Sequence, residues 1–172
     1  MIYWINGAYG VGKSTIALEL KKKLKKAIIY DAEEIWNAIR DNYPKSLYSV
    51  LFDGYLLWRE TNYKLLKDIQ SKYNGDIIVP MTLIKEESYE EIIAKLKNDG
   101  IPLTHILLEA DYKTIHNRIL NRGEEENCWC MKNINMCFNT FKKVTNAIRI
   151  NTITINKTPK EIVKEIIIKC IQ

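Results

Sequence analysis

The first chemistry in the chain lies in eight residues near its start. Gly7-Ala8-Tyr9-Gly10-Val11-Gly12-Lys13-Ser14 fits the pattern G-x-x-x-x-G-K-[ST] at every fixed position, with Thr15 adding a second hydroxyl. Gly7, Gly10 and Gly12 let the backbone turn tightly with its N–H groups pointing inward. Those donors, with the positive end of the helix that follows, suit the β- and γ-phosphates of a nucleotide. Lys13 would add a point charge on the same oxygens, and the Ser14 hydroxyl could ligate Mg²⁺. The expected ligands of this loop are therefore ATP and magnesium, held by residues 7–15.

The rest of a site must come from the carboxyl ends of the strands, where ligands bind in parallel sheets. Asp31 ends the apolar run "AIIYD". It has two readings: the N-cap of the next helix, or a carboxylate that holds a magnesium-bound water or takes the proton of a substrate hydroxyl. After "DIIV" come Pro80, Met81 and Thr82, where many P-loop ATPases carry an acid. Arg118 and Arg122 are four apart on an expected helix, before the polar stretch "RGEEENCW". They read either as arginines of a closing lid that stabilise a transferred phosphoryl group, or as solvated helix residues. Arg59 beside Trp58 suits a planar or anionic acceptor, or forms a surface ion pair with Asp53 or Glu60; Arg40 is a weaker candidate of the same kind. Trp129 and Tyr55 could stack a ring or simply pack.

Strands and helices that alternate along the chain would position these groups. "MIYWI" (2–6), "AIIY" (27–30), "DIIVPM" (76–81), "LTHILLEA" (103–110) and "TITI" (152–155) read as five short strands. The first is apolar throughout, as expected of a parallel strand covered on both faces. Between them, Ile16, Leu20 and Leu24 mark one helix stripe, and Asp31 and Glu34 stand at capping-box spacing. A longer helix is expected over 54–73, burying Leu65, Leu66 and Ile69 and stopping at Asn74-Gly75. "EESYEEIIAKLKNDG" stops at Gly100, Asp111 caps "YKTIHNRILNR" before Gly123, and a further helix falls around 131–146. Thr158-Pro159-x-Glu161 opens the last helix, whose Ile162, Val163, Ile166, Ile167 and Ile171 should pack on the sheet. The βαβα series predicts an α/β fold, a three-layer sandwich around a parallel five-stranded sheet, in one domain of residues 1–172.

Composition narrows the partners. The 172 residues are 47% apolar and 27% charged, with no run approaching a membrane span and no signal peptide, so a cytoplasmic protein is expected. The formal charge of +5 is matched by the lysines of "KKKLKK" at the end of the first helix, where cations favour the dipole. This argues against a nucleic-acid surface. Cys128, Cys130, Cys137 and Cys170 follow no zinc spacing, and His105 and His116 lack ligand partners, so reduced thiols and no structural metal are expected.

"WINGAYGVGKS", "IIYDAEEI", "LLWRETNYKLL" and "DIIVPMTL" occur in an order that resembles the tunicamycin-resistance family of P-loop proteins, from Met1 to about residue 145. The resemblance implies a P-loop NTPase fold of the nucleoside- and shikimate-kinase branch, with strand order 2-3-1-4-5 and a helical lid near 118–140. It implies ATP and magnesium at Gly7, Gly12, Lys13 and Ser14, and a second ligand facing Asp31, Arg59 and Thr82. It places Arg118 and Arg122 in the lid, and it links the chain to resistance against a nucleoside-type antibiotic. The expectation is a small-molecule phosphotransferase, a monomer or homodimer, using Lys13, Asp31, Arg118 and Arg122 on a hydroxylated acceptor. That acceptor would be bound by Asp31, Arg40, Trp58, Arg59, Met81 and Thr82, with Ser14 and Asp31 on the metal. The alternative is an ATP-binding protein that sequesters a drug without chemistry.

Overall fold

The computed structural model describes residues 1–48, 52–153 and 157–170. Five strands form one sheet: β1 (Ile2–Gly7), β2 (Ala27–Ile29), β3 (Asp76–Pro80), β4 (Leu103–Glu109) and β5 (Ile148–Asn151). Their order is β2-β3-β1-β4-β5, and every adjacent pair is parallel. Ile2 stands opposite Ile77 on one side and Leu103 on the other, so β1 is central. The glycine-rich loop that follows it therefore emerges in mid-sheet, where the order of connections reverses.

Why β1 is apolar at successive positions is visible in its packing. Tyr3 and Ile5 belong to the core of one face, Ile2 and Trp4 to the core of the other. The first face is covered by α1 (Lys13–Lys21), α6 (Tyr112–Leu120), α7 (Trp129–Phe141) and α8 (Pro159–Cys170), through Ile16, Ile115, Ile134 and Ile166. The second is covered by α2 (Ala32–Asn42), α3 (Leu56–Lys72) and the helical run 86–98. That run comprises α4 (Glu86–Ser88), a π-wound segment (Tyr89–Ala94) and α5 (Lys95–Asn98). Trp58 and Trp4 are fully buried, and each spends its indole N–H on a carbonyl, that of Ala32 or of Met81.

Local stop and start signals act largely as read. Asp111 accepts from the Thr114 N–H at 2.6 Å, and Thr158 and Glu161 cap each other reciprocally. The start of α2 differs in detail. Asp31 accepts from the N–H of Glu33, and Glu34 faces Asn37 rather than completing a capping box.

Three expectations are corrected. The last strand is not 152–155 but Ile148–Asn151, because "AIRIN" supplies the residue that faces the core, Ile150, in register with Leu108. Residues 154–155 of the expected strand, and Ile171 of the last helix, lie outside the described residues. On α3, Leu65 is exposed; the buried face is Trp58, Arg59, Asn62 and Leu66, a stripe half polar and so illegible as an apolar period. Gly75 does not adopt a left-handed conformation. A Cβ there would lie 2.6 Å from the Tyr73 ring and 2.8 Å from the Lys26 carbonyl oxygen, so crowding requires the glycine.

Candidate functional site

Residues 7–14 form the junction of β1 and α1. Gly7 has φ +144° and sits so close to β4 that a Cβ would meet the Leu108 carbonyl oxygen at 2.7 Å. Gly12 has open space around it, but its φ of +107° suits only glycine. It is the N-cap of α1 and offers no side-chain cap, so the first-turn amides of Lys13, Ser14 and Thr15 face outward uncapped. An uncapped helix start with a lysine in its first turn fits a phosphate chain. Ser14 and Thr15 are exposed, with hard hydroxyl oxygens suited to magnesium.

The Lys13 ammonium donates to the carbonyls of Gly7 and Ala8, both at 3.0 Å. Burial under the loop lowers it to about 8, with the charge of Arg122 acting the same way and that of Glu33 against it. Tyr9 leans over it, with the ammonium 5.7 Å from the ring centroid, and packs edge-on against Trp129 at 4.8 Å. Burial pushes the Tyr9 hydroxyl far above its ordinary range.

Two cavities meet at this loop. One, of about 410 Å³, runs along the loop's outer side and is lined by Gly10, Gly12, Ser14, Arg118, Arg122 and Thr152. The other, of about 500 Å³, lies toward α2 and β3 and is lined by Lys13, Ser14, Glu33, Arg40, Met81 and Thr82. Trp36 and Trp129 also line it. Trp36 is backed by Tyr55, whose ring centroid is 4.6 Å away. Ser14 and Arg122 border both cavities.

Arg118 and Arg122 both border the first cavity but make different contacts. Arg118, on α6, donates to the Val11 carbonyl at 2.9 Å and to the Thr152 carbonyl at 2.8 Å, tying the phosphate loop to the end of β5. The helix ends at Leu120, so Arg122 sits in the following turn, paired with Glu124 at 2.8 Å. Of the segment 118–140 expected as a lid, most is α7, which buries Met131, Ile134 and Cys137 in the core.

The other expected acceptor residues divide. Arg40 and Met81 stand on the wall of the second cavity, Met81 with only its edge exposed. Thr82 also borders it, but its buried hydroxyl donates to the Gly7 carbonyl at 2.9 Å. Trp58 lies wholly inside the core. Arg59 is nearly buried and gripped: it donates to Glu91 at 2.7 Å and to the Asp53 carbonyl at 2.9 Å. Neither Asp53 nor Glu60 is its ionic partner. Asp53 is fully buried, and its carboxylate accepts from the amides of Ile84 and Lys85, shaping the turn after β3.

Asp31 is exposed at the start of α2 and caps it. Two carboxylates line the cavity, Glu124, which is paired with Arg122, and Glu33, two residues on from Asp31, which also acts on Lys13 electrostatically. Sequence reasoning missed Glu33 and Trp36. The signal was available in "DAEEIW", where a helix opening at Ala32 leaves Glu33 and Trp36 three apart on one face. It also missed Asn6, a lone amide inside an apolar strand, whose Oδ1 accepts from the amides of Gly7 and Leu83. Among the described residues, no cluster of three or more histidine, cysteine or acidic side chains gathers as a metal site, and the four cysteines are free.

A parallel sheet ordered 2-3-1-4-5, with a glycine-rich loop entering α1 from its central strand and a cavity on each side, defines a P-loop protein of kinase-like architecture. The model of an AAA domain family matches residues 2–130, and the chain belongs to that family. Its fold is shared with the tunicamycin resistance protein of Deinococcus radiodurans, at a TM-score of 0.78 and 20% identity over 98% of this chain and 94% of that one. A sugar kinase from Janibacter sp. HTCC2649 follows at TM-score 0.68 and 12% identity, over 97% and 92% of the two chains. A gluconokinase from Sinorhizobium meliloti 1021 gives 0.64 and 14%, over 95% and 87%. No curated protein sequence matches the chain significantly. No described helix is long and apolar enough to cross a membrane.

Proposed function

We propose that the protein is an ATP-dependent phosphotransferase of the cytoplasm acting on a small hydroxylated acceptor that carries a planar ring, such as a nucleoside. The observation that carries this reading is the sharing of Ser14 and Arg122 by two cavities on either side of the Lys13 loop. One cavity suits the nucleotide, along the uncapped start of α1 and beside Arg118. The other suits the acceptor, with a ring packed on Trp36 and Trp129 and with Arg40 at its edge.

Of the two carboxylates on that wall, Glu124 is paired with Arg122, and Glu33 takes the acceptor's hydroxyl proton in this reading. The oxygen so activated forms a bond to the γ-phosphorus of ATP. The bond from that phosphorus to the β–γ bridging oxygen breaks, and ADP leaves. Lys13, the loop amides and Arg122 stabilise charge on the transferred group. Magnesium, when bound, would neutralise the β- and γ-oxygens; the Ser14 hydroxyl, with a carboxylate from Asp31 or Glu33, is the donor set that would hold it. The fold neighbours include proteins described as sugar kinase and gluconokinase, which supports phosphoryl transfer to a hydroxyl. The fold neighbour described as a tunicamycin resistance protein supports an antibiotic of nucleoside type as the acceptor.

A second reading is favoured by Pro80 and Met81, which occupy the end of β3 where an acid would assist magnesium. In that reading ATP and drug bind without transfer. Incubation with γ-labelled ATP and a panel of nucleosides and uridine-containing antibiotics separates the two. Label on the acceptor establishes transfer, whereas tight drug binding with only background hydrolysis establishes sequestration. Absence of any binding to ATP overturns both.

A further inference from the structure

Tyr9 occupies the third position of the glycine-rich loop, where the phosphate chemistry of the loop asks for no particular side chain. The backbone around it is pinned. A Cβ on Gly7 would meet the Leu108 carbonyl oxygen at 2.7 Å, and one on Gly10 would meet the Ile119 side chain at 2.7 Å. Ala8 is buried. The loop therefore lies tight on β4 and α6, and a change beside it must be carried by side chains.

The Tyr9 ring has two neighbours that belong to different parts of the site. The Lys13 ammonium lies 5.7 Å from its centroid, within the ~6 Å over which a cation is drawn to an aromatic face. The Trp129 indole meets it at 4.8 Å with an interplanar angle of 69°, the edge-to-face arrangement that aromatic pairs favour. Lys13 borders both cavities, whereas Trp129 borders the second and not the first. Trp129 opens α7 and is 42% exposed, so its ring is not locked in the core. Trp36, the other indole on that cavity, rests on Tyr55 instead. The Tyr9 hydroxyl is buried without a hydrogen-bond partner, so what this side chain contributes here is its ring.

We infer that Tyr9 is a positioning residue that relays occupancy of the phosphate loop to the acceptor cavity, its ring setting the Trp129 indole according to where the Lys13 ammonium stands. This rests on the reading of the two cavities as nucleotide and acceptor sites. Without nucleotide, Lys13 donates to the carbonyls of Gly7 and Ala8, both at 3.0 Å. Phosphate oxygens offer it charged acceptors, whose hydrogen bonds are roughly twice as strong as those of neutral ones. An ammonium drawn to them changes its place over the Tyr9 ring, and the ring changes its contact with Trp129. By linkage, ATP then alters affinity for the acceptor, and the acceptor alters affinity for ATP by the same factor.

The chain has four tryptophans, so the full-length protein made with fluorotryptophan gives four fluorine resonances, and that of Trp129 is the one missing from Trp129→Phe. Saturating ATP with magnesium is expected to shift the Trp129 resonance of the wild type, with binding followed in parallel by calorimetry. Tyr9→Phe keeps the ring and should keep the shift. Tyr9→Leu removes the ring and should lose the shift while still binding ATP. Tyr9→Met, whose unbranched side chain adapts to the same space, makes the same test if the leucine variant does not fold. A Trp129 resonance unmoved by bound ATP in the wild type would overturn the relay alone. So would a shift that survives loss of the ring, a shift lost in Tyr9→Phe, or loss of ATP binding in Tyr9→Leu, which would make the ring part of the nucleotide site. Failure of the wild type to bind ATP at all would overturn the proposed function, and the relay with it.

Discussion

Thr82 reaches across 75 residues of sequence to give its hydroxyl hydrogen to the carbonyl of Gly7, at 2.9 Å. Lys13 donates to the same carbonyl at 3.0 Å. The turn after β3 and the phosphate loop are thus joined at the one oxygen that also locates the lysine. Thr82→Val keeps the shape and removes the donor. It is expected to lower stability by about 1 kcal/mol in urea unfolding and to weaken ATP binding, while Thr82→Ser retains both.

The roles of the two carboxylates at the start of α2 separate by substitution. Glu33→Gln should reduce phosphoryl transfer ~10²-fold or more at unchanged stability, as expected for loss of a general base. Asp31→Asn keeps an oxygen at the cap and should leave turnover within a few-fold, while Asp31→Ala costs about 1 kcal/mol of stability. Single-turnover transfer from labelled ATP checks this. Equal losses from Glu33→Gln and Asp31→Asn would return the base to Asp31.

The lysine at the loop gives a pH dependence of known sign. Its folded value near 8 lies below the 10.5 of a free lysine. Between those values the unfolded chain holds a proton that the folded protein has shed, so this group makes stability rise with pH across that window. Comparison of wild type with Lys13→Met in unfolding experiments from pH 7 to 11 should show the rise in the former alone. Affinity for ATP runs the other way, because phosphate favours the charged lysine. Above pH 8 it should fall about tenfold per unit until the bound-state value is reached, with proton uptake visible by calorimetry in buffers of different ionisation enthalpy.

Arg59 and Glu91 form a partly solvated ion pair next to the buried Asp53. Glu91→Gln should cost about 1–2 kcal/mol, less than a fully buried pair, since Glu91 remains in contact with water. Asp53→Ala removes the acceptor of two backbone amides in the core and should cost about 2–3 kcal/mol. Neither change should alter the apparent KM for the acceptor if Arg59 serves the framework. A large KM effect from Glu91→Gln with normal stability would instead place Arg59 in contact with substrate.

What the amino-acid order determined by itself was everything governed by neighbours along the chain. The loop of residues 7–14, the alternation of strand and helix, and the caps at Asp111 and Thr158 follow from rules that span a few residues. The particular strand order came with the family resemblance rather than from any local pattern, and the sheet confirms it. What only the tertiary structure decided depends on groups brought together from far apart. Asp31 and Glu33 are both acids at a strand end, and the phase of α2 chose which one lines the cavity. Arg118 and Arg122 have helical spacing, but the helix stops between them, and Val11 and Thr152 claim the first. Arg59 found Glu91, 32 residues on, and Asn6 found His105, 99 residues on. Such pairings are set by which side chain must satisfy its polar atoms in a dry interior, and that demand exists only once the interior has formed.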